Sequence, residues 1–68
     1  MTKLNRSAVT GLPKCHTHAI VHECDNGQRL LVTSGSEFNM KLMMDKLHFM
    51  SGKTEIYEIK KLRKEYDK

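Results

Sequence analysis

The 68-residue chain has no tryptophan, a single proline, two cysteines and only four aromatic residues. Each scarcity excludes something. Two cysteines are too few for the disulfide framework of a small secreted domain. No apolar run approaches the ~20 residues that cross a bilayer, so no membrane contact is expected. The opening "MTKLNRSAVTGLPK" is polar and does not read as a secretory leader. A cytoplasmic protein with reduced thiols is the expectation. Gly-rich phosphate loops, paired acids and zincin spacings are also missing. With 38% hydrophobic residues the core is thin, and a positioned catalytic pocket needs more scaffold than that. A non-enzyme with no cofactor and no small-molecule substrate is expected.

What is present begins with charge. The formal net charge is +4, and it is unevenly spread. Residues 1–14 hold Lys3, Arg6 and Lys14 with no acid, residues 15–52 are near neutral, and residues 53–68 carry six basic and four acidic side chains. Positive ends favour an acidic partner or a phosphate backbone, although solvated termini that keep a small domain soluble have the same composition.

A single domain is expected, in three parts. Residues 1–14, with Gly11 and Pro13, read as an irregular arm that could pack through Leu4, Val9 and Leu12. Residues 15–61 read as the core. Residues 62–68 read as a basic tail. Within the core, two β-rich runs flank "DNG", the strongest hairpin signal in the chain, giving strands over 16–24 and 28–34. Ser34 and Glu37 have capping-box spacing, and Gly52 suits the left-handed position after a helix end, so a helix is predicted over 36–51. Thr54, Ile56, Tyr57 and Ile59 favour a strand over 54–61. A helix is the alternative, because Ile56, Ile59, Leu62 and Tyr66 also share one arc. The expected fold is α+β: a ββαβ domain, with a three-stranded antiparallel-type sheet and one helix packed on a face.

Two hairpin registers are open. A two-residue Asn26-Gly27 turn sets Val21 opposite Val32 and Glu23 opposite Leu30. A three-residue Asp25-Asn26-Gly27 loop with a bulge sets Val21 opposite Leu31 and Glu23 opposite Arg29. The second is preferred, because it makes a cross-strand ion pair and a consistent Ala19, Val21, Leu31 core face. It leaves Ile20, His22, Leu30 and Val32 on a face too apolar for plain solvent.

The stretch "CHTHAIVHEC", Cys15 to Cys24, concentrates both cysteines and three of the four histidines. Zinc needs about four N or S ligands within ~2.0–2.3 Å. Candidates strung along a strand that rises ~3.3 Å per residue cannot converge on one ion without His48 or a second chain. His22 and Cys24 lie ~6–7 Å apart, too far for a nucleophile pair. No metal site is expected, and a small metal-binding domain is the third-ranked function.

The helix carries two apolar stripes. At 100° per residue, Met40, Met43, Met44, Leu47 and Met50 fill an arc of about 120°, while Phe38, Leu42 and Phe49 fall within about 40° on the opposite side. Packing on a sheet consumes one stripe. The other needs the N-terminal arm, a second copy or a partner, and methionine suits plastic contacts. The leading expectation is therefore a protein-binding module, contacting a protein partner or its own copy through Phe38, Leu42, Phe49, Ile20, His22 and Leu30. Chains of this size include accessory and inhibitory factors, among them small phage proteins acting on host enzymes; size alone supports that analogy. The alternative is a nucleic-acid-binding domain using Lys60, Lys61, Arg63 and Lys64.

Overall fold

The computed structural model describes residues 2–47 and 52–66. The described elements are β1 (Thr2–Lys3), α1 (Arg6–Thr10), β2 (His18–Glu23), β3 (Arg29–Gly35), α2 (Glu37–Lys46), β4 (Lys53–Glu58) and α3 (Ile59–Tyr66). The strands form one antiparallel sheet of order β1-β3-β2-β4. The α+β class agrees with expectation. The count does not: among the described residues there are four strands and three helices, against three and one expected.

The hairpin uses the three-residue loop. Gly27 N donates to Cys24 O at 2.9 Å and Cys24 N to Gln28 O at 2.7 Å. Gly27 closes the loop at φ 87°, a left-handed conformation that costs other residues about 1–2 kcal/mol. Val21 lies opposite Leu31 and Glu23 opposite Arg29, as preferred. The register then shifts between Ile20 and Val21, so that Ile20 faces Thr33 and Ala19 faces Ser34. Val32 is the extra residue at this bulge. Beyond it the pairing follows the register of the two-residue turn. The expected Glu23–Arg29 contact is replaced, because Arg29 Nη1 reaches Glu65 Oε1 and Tyr66 Oη on α3, each at 3.1 Å.

Alternation along β2 separates two cores. Ala19 and Val21 join Leu4, Val9, Ile59 and Leu62 in a cluster under α1 and α3, with Leu31 and Tyr57 against it. Ile20, fully buried, points to the opposite face, where α2 contacts β2, β3 and β4. The sheet is thus the middle of three layers. Since β3 and β4 both run antiparallel to the intervening β2, β3-α2-β4 is a crossover spanning β2.

Three expectations are corrected. The arm is not irregular. Asn5 caps α1 by accepting from Ala8 N at 2.9 Å, and Val9 beneath it is buried. Five residues are too short for a helix to hold alone, so burial of Val9 sustains it. Residues 62–68 are not a tail as far as Tyr66: Leu62 is 1% exposed and belongs to the core. The 54–61 segment is both readings in series, strand to Glu58 and helix from Ile59.

The cap of α2 is Ser36, which accepts from Asn39 N, rather than Ser34. The helix ends at Lys46, not at 51. Gly52 is left-handed, at φ 88°, but at the start of β4 rather than after the helix; a Cβ there would strike the Glu23 carbonyl.

Candidate functional site

The Cys15–Cys24 stretch is dispersed by the fold. His16 Nδ1 shares a hydrogen bond with Ser34 Oγ at 2.7 Å. His18 bonds Thr17 Oγ1 through Nδ1 at 2.9 Å and Glu37 through Nε2 at 3.2 Å. His22 is buried against Thr54 Oγ1 at 2.9 Å. Cys15 is exposed and Cys24 half-buried, both as free thiols. Among the described residues no three His, Cys, Asp or Glu side chains gather to hold a metal ion. His48, which a metal site would have needed as a further donor, lies outside the described residues.

Of the partner-contact residues, Ile20 and His22 are covered by the chain itself, at 0% and 5% exposure, and Leu30 is half-buried. Ile20 and His22 therefore do not form an open surface, because α2 contacts this face of β2 and Thr54 and Gly52 lie against His22. The helix has chosen its stripes accordingly. Met40 is buried, and Met44 and Leu47 are half-buried, at the i, i+4, i+7 spacing of an inward face. Phe38 is 71% exposed and Leu42, one turn on, 48%. Met43, a member of the methionine arc, is 37% exposed. Phe49 and Met50 lie outside the described residues.

The first turn of α2 is electrostatically organised. Glu37 Oε1 pairs with Lys41 Nζ at 3.1 Å, while Oε2 faces His18. The hydrogen bond from Lys41, its charge and His18 together hold the Glu37 carboxyl below its ordinary value of 4.5. An acid at a helix start also opposes the positive end of the helix dipole.

Across the sheet, α3 has two unlike faces. Ile59 and Leu62 point inward. Lys60, Lys61 and Lys64 are exposed and have no ion-pair partner among the described residues. Arg63 is half-buried and donates Nη2 to Leu12 O at 3.3 Å, so it ties α3 to the N-terminal segment. The four basic residues named from the sequence therefore split into three lysines without an ion-pair partner among the described residues and one anchored arginine.

Arg29 was not singled out by sequence reasoning, which gave it only a pairing with Glu23. Its guanidinium lies 5.2 Å from the Tyr57 ring centroid and 5.9 Å from that of Tyr66. Burial works against its charge, but Tyr66, Glu65 and Tyr57 outweigh that and raise its pKa. The hydrogen bond from Tyr57 Oη to Glu55, followed by burial, raises the Tyr57 hydroxyl as well. Arg29 clamps α3 and β4 to the hairpin and is structural.

No described helix is long and apolar enough to cross a membrane. Comparisons with protein-family models, curated proteins and solved structures find no match for the chain.

Proposed function

We propose that the chain is a non-catalytic protein-binding module whose contact surface is the outer face of α2. The observation that carries this reading is the Phe38–Leu42 pair, exposed at helical spacing on a helix whose other stripe is already packed. Burying the exposed part of Phe38 would contribute about 2 kcal/mol and that of Leu42 about 1 kcal/mol. Such a pair fits an apolar groove on a partner, with the flanking Lys41, Asp45 and Lys46 forming a polar rim.

The test is affinity capture from native lysate, with nuclease, comparing the wild-type chain with a Phe38→Ser/Leu42→Ser variant of unchanged circular dichroism. A protein held by the first and lost by the second supports the reading. Equal retention by both would sink it. A second reading, nucleic-acid binding, is favoured by the three exposed lysines of α3, which have no ion-pair partner among the described residues. It requires binding that nuclease abolishes, with a salt slope that falls by about one per lysine removed.

A further inference from the structure

The start of β2 and the exposed side of α3 border an open hollow of about 580 Å³. Its charged lining is His16, Glu58, Lys60, Arg63 and Lys64, and His18 closes one wall. The contributors come from opposite ends of the chain, and the strand pairing joins them. His18 lies opposite Glu58 in the sheet, and Ile59 N donates to Thr17 O at 2.9 Å, so α3 begins beside the histidines.

We propose that this hollow binds a phosphomonoester carried on a small organic body. Three observations converge on that ligand. Charge comes first: three permanent cations against the single carboxylate of Glu58 leave +2, which matches the −1.5 to −2 of a phosphomonoester at pH 7. Donor availability is second. Lys60 and Lys64 have no ion-pair partner among the described residues. His16 is held by Ser34 through Nδ1, and its Nε2 has no protein partner among them. Arg63 is fixed by Leu12 O, and the rest of its guanidinium fork has no hydrogen-bond partner among the described residues. Size is third. The hollow falls in the ~300–1,000 Å³ range of small-molecule sites, larger than a bare phosphate needs.

The arrangement carries a cost that a ligand would offset. Lys60 and Lys64 sit at i, i+4, where like charges repel. Glu65, on the same helix, is taken by Arg29. A polyanion fits less well. The adjoining hollow, of about 360 Å³, adds Glu37 to Glu58 against Lys41 and Lys61, so its charges balance and a continuing phosphate backbone meets no excess of cations there. The inference is independent of the protein-binding reading, which uses a different helix. It departs from the expectation of a chain without small-molecule ligands, because His16 and α3 meet only through the fold.

The test is an amide NMR titration of the full chain at constant ionic strength with inorganic phosphate, adenosine 5′-monophosphate, adenosine and a thymidine 20-mer. Phosphate and the monophosphate should give saturable shifts at residues 16–18 and 58–64, tighter for the monophosphate, and adenosine should give none. Lys60→Ser/Lys64→Ser, with its spectrum otherwise intact, should bind the monophosphate about tenfold or more weakly. Non-saturable shifts, undiminished binding in that variant, or shifts from the 20-mer alone spread over Lys41, Lys46 and Lys53 would each overturn the proposal.

Discussion

Replacing Met40 with alanine separates the two faces of α2 most sharply. Met40 is 2% exposed, and Phe38, two residues away, is 71% exposed. Truncating a buried methionine removes about three carbon-sized groups at ~0.8 kcal/mol each and leaves a cavity, for a loss of about 2–4 kcal/mol. A chain of this length has a total stability of about 3–10 kcal/mol. A loss of about 3 kcal/mol would lower the melting temperature by about 12–24 °C. Phe38→Ser, which uncovers little, should cost less than about 1 kcal/mol. Thermal melts and urea titrations of both variants, followed by circular dichroism, measure the difference. If Phe38→Ser destabilises as much as Met40→Ala, the assignment of inward and outward stripes is wrong, and the surface proposed for binding is core.

Three other outcomes are expected. Gly27→Ala, with open space around its left-handed backbone, should cost about 1–2 kcal/mol in urea, and Gly52→Ala clearly more, because its Cβ also meets the Glu23 carbonyl. Glu37 has a lowered folded pKa, so its stabilising contribution is complete above 4.5 and disappears as pH falls through the lower folded value; Glu37→Gln should flatten the acid limb of a stability–pH profile in that window. Excess chelator should leave the melting temperature of freshly purified protein unchanged, whereas a sharp drop together with stoichiometric zinc would contradict the reading of the Cys15–Cys24 segment.

The hairpin was legible because Asn26-Gly27 and its flanking β-formers act locally, and the preferred register is the one found beside the turn. The bulge at Val32 was not, since nothing within the hairpin distinguishes one register from two joined in series. The helix was legible in kind but not in length: "KLHFM" holds no breaker, yet the helix stops at Lys46. Asn5 followed by "RSAVT" and Gly11 was a readable cap pattern, overshadowed by Pro13 and the shortness of the segment. In 54–66 the strand and helix periodicities were both present, and the change-over at Ile59 depends on its amide meeting Thr17 O. Long-range pairs left no trace in local spacing. Arg29 with Tyr66, His18 with Glu37 and His16 beside Lys60 come from segments far apart in the chain. The face of Ile20 and His22 was correctly judged too apolar for solvent, but the chain itself covers it, through α2 and, at His22, Gly52 and Thr54.

The central claim is that the outer stripe of α2 is a contact surface for a protein. Site-specific photocrosslinking tests it most directly. A benzophenone side chain is placed at position 38, at position 42, or, as control, at Thr10 on α1 across the sheet, and each chain is irradiated in native lysate. The account predicts one discrete protein adduct, shared by positions 38 and 42 and absent from position 10. No adduct at either α2 position, or the same adduct from all three, would contradict it.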